Sequence, residues 1–124
     1  MPIYRQIIDQ IKYLIVVGVL KKGDKVPSVR QLANQLAVNQ NTVLKVYNEL
    51  CHERVLEIER GSGTFVAANK QNISMAERKK TVADALRGAL VQAIHLGISL
   101  EQTKELLEKE YQALKLQKEK NRRK

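Results

Sequence analysis

Two amphipathic segments with only about three residues between them constrain the fold of this chain most. The first lies in VPSVRQLANQLAV, where Ser28 followed by Gln31 matches a capping box and predicts a short helix that starts at Ser28. The second begins at Asn39, a favourable N-cap, and predicts a helix from Gln40 to about Arg54. Two helices joined by so short a turn form a helix-turn-helix.

The neighbouring segments predict a winged form of this unit. Apolar residues recur at helical spacing between Ile3 and Leu20, which predicts a preceding helix that the glycine turn KKGDK ends. After the helix-turn-helix come two alternating segments, VLEIE and TFVA, separated by RGSG. They predict a two-stranded hairpin with its tip at residues 61–63. Three helices followed by a hairpin are the order of a winged helix-turn-helix.

Two longer helices are predicted after a linker, AANKQNIS. Ser74 caps the first and Gly97 ends it, while a capping box of Ser99 and Gln102 opens the second. Their apolar stripes are too wide to be covered within an isolated pair, so we expect the chain to self-associate. The residues predicted at the dimer interface are Val82, Leu86, Leu90, Ile94, Leu100, Leu107, Tyr111 and Leu114.

Length and composition limit the functions open to the chain. With 124 residues, one cysteine and no apolar run long enough to span a bilayer, it is expected to be a small cytoplasmic protein without an enclosed active site. The sequence contains neither a phosphate-binding glycine loop nor metal-ligand spacing, so no enzyme activity, metal or cofactor is expected.

The net charge of +9 is weak support for nucleic acid by itself. A surplus of five positive charges lies in the last ten residues, KLQKEKNRRK, where a solvated tail would produce it.

The predicted helix over NQNTVLKVYN carries a more specific signal. One side is apolar, and we expect Tyr47 to lie there in the core with its hydroxyl reaching solvent. The other side presents Gln40, Asn41, Leu44, Lys45 and Asn48. Amides match the adenine edge, lysine reaches guanine or phosphate, and leucine packs on the thymine methyl group. This face therefore predicts base contacts in the major groove, the alternative being a polar face that meets only water.

These segments also resemble a known family. The stretch GDKVPSVRQLANQLAVNQNTVLKVYNELCHERVLEIERGSGTFV resembles the DNA-binding domain of the GntR family. Within it, NQNTVLKVYNEL is similar to the YtrA subfamily, which also has a short two-helix C-terminal part. The resemblance implies contacts to DNA at the start of the second helix, in the recognition helix and at the wing tip: Ser28, Arg30, Gln40, Asn41, Thr42, Arg60 and Gly61. Ser62, next to them at the wing tip, is a further candidate for DNA contact.

The chain departs from the family at two positions of the predicted recognition helix. Many members have arginine or lysine where this chain has Gln40 and Leu44. The family's guanine contacts are therefore not transferred to Gln40, and we expect Lys45 to supply the missing charge.

Together these features predict a mainly α-helical chain with a small β-hairpin. We expect a winged helix-turn-helix DNA-binding domain over residues 1–70. A two-helix antiparallel dimerisation region with a basic tail is expected over residues 71–124. The resulting interpretation is a homodimeric repressor that reads a palindromic operator in double-stranded DNA.

Several alternatives remain open at the level of sequence. Winged helices also serve as protein-interaction modules, and a GntR-type domain can precede an aminotransferase-like enzyme domain, for which no cofactor-binding lysine is recognisable here. The resemblance implies transporter operons as targets. It leaves a small-molecule effector unidentified.

Overall fold

A computed structural model describes residues 2–68 and 73–122. The helices are α1 (Ile3–Val16), α2 (Val29–Leu36), α3 (Gln40–His52), α4 (Met75–His95) and α5 (Leu100–Arg122). The strands are β1 (Lys25–Val26), β2 (Leu56–Glu59) and β3 (Gly63–Val66). This order confirms the predicted winged helix-turn-helix followed by two long helices. Half of the predicted linker, residues 69–72, and the last two residues of the basic tail lie outside the described residues.

The chain divides into two compact units. Residues 1–70 belong to one unit together with residues 118–124, and residues 71–117 form the other. No helix in the described part of the chain is long and apolar enough to cross a membrane.

The helix starts follow the capping residues of the sequence. Ser28 accepts a hydrogen bond from the Gln31 backbone N–H at 3.1 Å, and the Gln31 side chain accepts one from the Ser28 N–H at 2.9 Å. Asn39 caps α3 by accepting a bond from the Asn41 N–H at 2.8 Å. The long helices have the predicted caps at Ser74 and Ser99. Each cap satisfies backbone donors that a helix start leaves unpaired.

The end of α1 differs from the prediction. The helix ends at Val16 rather than at Leu20. Gly18 adopts φ +85, and the backbone N–H groups of Val19 and Leu20 both bond to the carbonyl of Leu14. A glycine in this left-handed conformation ends the helix, because it lets the following N–H groups turn back onto the last carbonyls.

The sheet has three strands instead of the predicted two. β2 and β3 form the predicted hairpin, with Leu56 opposite Val66, and β1 pairs antiparallel with the other edge of β3. Only Lys25 and Val26 form β1. A strand of two residues shows no alternation, so the sequence pattern could not reveal it.

The core of the first unit is aliphatic. Ile8, Val43, Val46 and Leu50 are fully buried where α1 packs against α3. The apolar residues of α2 differ in burial: Ala33 is buried, whereas Leu36 is 44 % exposed.

Candidate nucleic-acid interface

Helix α3 has the two faces that its sequence predicts. The inner face is buried and consists of Val43, Val46, Tyr47 and Leu50. The outer face is open to solvent and consists of Gln40, Asn41, Leu44, Lys45 and Asn48, with Thr42 partly covered at its edge. Leu44 is 46 % exposed even though it is apolar. The side of α3 that is free to meet a ligand is therefore the side with amides, one lysine and one leucine.

Tyr47 fixes α3 against the loop before α2. Its ring is buried as predicted, but its hydroxyl donates a 2.6 Å hydrogen bond to the carbonyl oxygen of Pro27. The expectation that the hydroxyl reaches solvent is wrong, because the loop carbonyl lies within reach and pairs with it. Desolvation by burial raises the pKa of Tyr47 from 10.0 to about 12.

An ion pair lies beside the C-terminal end of α3. Lys12 Nζ in α1 lies 2.8 Å from Glu53 Oε1, and both side chains are partly exposed. Partly exposed ion pairs contribute little to stability. The pair joins α1 to the residue after α3, so it helps to set how α3 lies on α1.

The start of α2 presents two of the predicted phosphate-contacting residues. Ser28 uses its hydroxyl oxygen as an acceptor for the helix cap, so its O–H can still donate to a phosphate. Arg30 is exposed, and no carboxylate in the described part of the chain pairs with it. Its guanidinium group is therefore available to a phosphate.

The wing tip presents the remaining predicted residues. Arg60, Gly61 and Ser62 are exposed in the turn between β2 and β3, where Gly61 has φ +79 and the Ser62 N–H bonds to the Glu59 carbonyl at 3.0 Å. An open groove lies between this tip and the start of α2. Its lining includes Ser28, Gln31, Arg60, Ser62 and Lys25. The groove brings together residues that are about thirty positions apart in the sequence.

Lys25 is a basic residue of this groove that the sequence analysis missed. It is exposed in β1, opposite Phe65 of β3, and its side chain passes across Gly63. A Cβ atom built at Gly63 would lie only 2.8 Å from Lys25 Cε. The lysine comes directly before the buried Val26. Its position beside the wing could have been predicted only if β1 had been recognised in the sequence.

Lys45 contacts a residue of α1. Its Nζ lies 3.9 Å from the centroid of the Tyr4 ring, and Arg5 Cζ lies 5.7 Å from the same centroid. Tyr4 is half-buried and packs against the core. No local pattern in the sequence indicated that the first turn of α1 would meet the outer face of α3.

Other reactive groups form no cluster in the described residues. Within 2–68 and 73–122 no three His, Cys, Asp or Glu side chains lie close enough together to hold a metal ion. Cys51 is a half-buried free thiol, and burial raises its pKa.

The residues predicted to form a dimer interface are all exposed in the single chain. No residue described in α4 or α5 is buried. The exposed set contains every predicted position: Val82, Leu86, Leu90, Ile94, Leu100, Leu107, Tyr111 and Leu114. An apolar surface of this extent is typical of an interaction site.

Comparison with known proteins identifies the family. Residues 3–66 match the family described as bacterial regulatory proteins, gntR family. The chain belongs to the GntR family. It is 39 % identical over 104 residues to the HTH-type transcriptional repressor YtrA of Bacillus subtilis, a match that covers 84 % of this chain and 80 % of that protein. Because this match extends beyond the winged helix-turn-helix, it supports the YtrA subfamily.

Solved structures of GntR-like proteins agree with this assignment. A transcriptional antiterminator from Listeria monocytogenes EGD-e aligns with a TM-score of 0.80 at 33 % identity, covering 92 % of this chain and 85 % of that one. The DNA-binding domain of AraR, in complex with its operator ORX1, aligns with a TM-score of 0.51 at 31 % identity, covering 54 % of this chain and 81 % of that one. The GntR-family chain is thus a DNA-binding transcription regulator and not an enzyme.

Proposed function

We propose that this GntR-family chain is a homodimeric, cytoplasmic repressor that reads a palindromic operator with α3 of each protomer. The observation that carries the proposal is the exposed face of α3, on which Gln40 and Asn41 precede Leu44 and Lys45. Amide side chains can pair with adenine and leucine can pack on a thymine methyl group, while Lys45 can reach guanine or phosphate. The opposite, inner face of α3 is buried in the core, so the helix presents its outer face to DNA without rearrangement.

Affinity would come from basic and polar groups on both sides of α3. Arg30 and Ser28 lie at the start of α2, and Arg60 with Lys25 lies at the groove beside the wing. Phosphate contacts of this kind fix the orientation of a protein on the duplex, and base contacts then supply the sequence preference. Arg60, Gly61 and Ser62 would meet the minor groove.

The dimer is proposed from the exposed apolar residues of α4 and α5. In a two-fold dimer the same surface of both protomers is buried, and the exposed set that includes Leu86 and Leu107 would be covered in this way. We propose residues 1–70 as the DNA-binding domain and residues 71–124 as the antiparallel dimerisation region. Two recognition helices would then reach half-sites about one helical turn, roughly 34 Å, or a multiple of it apart.

The regulated genes are proposed from the family resemblance. The resemblance to the YtrA subfamily implies that this chain regulates a transporter operon. An operator upstream of such an operon is therefore the site at which we expect repression.

Selection from random duplex DNA tests the proposal. The purified full chain is mixed with a randomised duplex pool at about physiological salt, and the bound fraction is amplified and sequenced. We expect an inverted repeat with two equivalent half-sites. A selection with the Gln40→Ala, Asn41→Ala double variant serves as the matched control, and it should enrich a weaker or shorter repeat from the same pool.

Absence of any enriched sequence, with binding that disappears at modest salt, would overturn the proposal. Nonspecific attraction to phosphate depends steeply on salt, because each contact releases counterions. In that case the winged helix would be better explained as a protein-interaction module with a basic surface.

A further inference from the structure

We infer that Tyr4 is a positioning residue that holds the Lys45 ammonium group for a DNA phosphate, so that Lys45 serves affinity and not base reading. The inference rests on the proposed function and deepens it at one residue. It starts from the 3.9 Å between Lys45 Nζ and the centroid of the Tyr4 ring. Lys45 lies on the exposed face of α3, whereas Tyr4 belongs to the first turn of α1.

The Tyr4 ring is itself held in place. It is half-buried and packs against the aliphatic core that lies between α1 and α3. Its ring face attracts a cation through the negative potential of the π-system. A lysine side chain is long and flexible, and immobilising it on binding costs conformational entropy. A fixed ring that already restrains the ammonium group reduces this cost.

The surroundings of the Lys45 ammonium group favour contact with a backbone phosphate over contact with a base. The ammonium group lies over the ring of Tyr4, a residue of α1. A second cation, Arg5, lies 5.7 Å from the same ring centroid. Two cations this close to one ring add up to a local positive potential, which attracts an anion. The anion that duplex DNA supplies at regular intervals is the backbone phosphate.

Four variants of the full chain test this assignment. They are Lys45→Met, Tyr4→Leu, Tyr4→Phe and the double variant Tyr4→Leu, Lys45→Met. Affinity is measured as a function of salt on the selected operator and on a scrambled duplex of equal length. Tyr13→Leu is the matched control, because Tyr13 is an exposed tyrosine of the same helix that forms no cation contact in the described structure.

Lys45→Met is expected to weaken binding to both duplexes by a similar factor and to lower the salt slope by about one per protomer. Tyr4→Leu should weaken binding about two- to fivefold, the strength of an exposed cation–π contact. Tyr4→Phe keeps the ring and should bind like the wild type. In the Lys45→Met background, Tyr4→Leu should have no further effect.

A direct measurement in the free protein complements these variants. The Lys45 ε-methylene protons should show an upfield NMR shift from the Tyr4 ring current, and Tyr4→Phe should preserve it. This test needs no Tyr4→Leu protein, so it stands even if that variant does not fold.

Three results would overturn the inference. They are an unshifted Lys45 signal, equal losses from Tyr4→Leu with and without Lys45, and a Lys45→Met effect confined to the operator. A Lys45→Met effect confined to the operator would show that Lys45 contacts a base. Failure of the proposed function is distinguishable, because it would appear as equal wild-type affinity for the operator and the scrambled duplex.

Discussion

Tyr47 connects the aliphatic core with the loop that leads into α2. The prediction at this residue concerns the 2.6 Å hydrogen bond from its hydroxyl to the Pro27 carbonyl. Tyr47→Phe keeps the ring and removes the donor. Since a hydrogen bond within a folded protein contributes about 0.5–1.5 kcal/mol, the free energy of unfolding should fall by about that amount near pH 7. Urea denaturation measures it, and an unchanged midpoint would show that water replaces the hydroxyl without loss.

The same residue predicts a loss of stability at high pH. Burial raises the pKa of Tyr47 from 10.0 to about 12, whereas the unfolded chain keeps the ordinary pKa. Above pH 10 the unfolded chain therefore binds fewer protons, so this contribution is full below pH 10 and is lost as the pH rises towards 12. Tyr47→Phe should lack this part of the decline in denaturation curves. Tyr13→Phe, at an exposed tyrosine, should keep it, and superimposable curves for Tyr47→Phe and wild type would refute the linkage.

Gly63 allows a prediction about the wing. Its φ of +126 strains any other residue, and an added Cβ would lie 2.8 Å from Lys25 Cε. Gly63→Ala should lower the free energy of unfolding by about 1–3 kcal/mol. Gly61→Ala is the control, because Gly61 also has positive φ but has nothing within 4 Å of an added Cβ. If Lys25→Ala does not reduce the cost of Gly63→Ala, the lysine does not lie across the glycine in solution.

At the scale of helices and strands, local signals predicted the starts of elements well. Ser28 with Gln31, and Asn39 before α3, cap their helices as expected, because a cap depends only on residues within one turn. The two faces of α3 followed equally directly from its 3.6-residue period.

Features that depend on distant residues could not be predicted in this way. The strand β1 exists because Lys25 and Val26 pair with β3, about forty positions away. The contact of Tyr4 with Lys45 and the bond of Tyr47 to Pro27 likewise require the packed fold. The outer face of α3 was therefore predictable from sequence, whereas the groove beside the wing and the restraint on Lys45 were not.

The recognition helix and the wing should respond differently to substitution. Gln40→Ala should reduce preference at one base position by about 1–3 kcal/mol and leave nonspecific affinity almost unchanged, because an amide reads a base edge. Binding to operators substituted one position at a time measures this effect. An equal loss on all sequences would exclude base reading by Gln40.

Arg60→Ala should weaken binding to every sequence and lower the salt slope by about one per protomer, because a phosphate contact releases a counterion. Titrations at several salt concentrations measure the slope. Arg87→Ala, at an exposed arginine of α4, is the matched control and should leave the slope unchanged. If Arg60→Ala has the same salt slope as the wild type, Arg60 at the wing tip does not contact a DNA phosphate.

At the scale of the whole molecule, the two units differ in how their apolar residues are covered. The winged helix-turn-helix unit buries an aliphatic core, whereas no residue described in α4 or α5 is buried. Long helices without a buried side gain little stability from packing, and a partner that covers them would supply it. DNA binding and assembly are thus expected to be coupled, since a dimer engages two half-sites at once.

Leu90→Glu tests this coupling. A charge at a predicted interface position of α4 should shift the dimer towards a folded monomer, because burying an unpaired carboxylate is costly. Sedimentation equilibrium measures the assembly, and operator titration measures affinity. Loss of the second linked half-site should weaken operator binding by about 10²- to 10⁴-fold, while binding to a single half-site stays near the wild-type value.

The matched control for this variant is Gln92→Glu, which adds the same charge on a different side of α4. It should remain a dimer with nearly wild-type operator affinity. Deletion of residues 74–124 should reproduce the monomer. A dimer that survives both Leu90→Glu and the deletion would place the interface in the winged helix-turn-helix unit, and the exposed apolar residues of α4 and α5 would then require another partner.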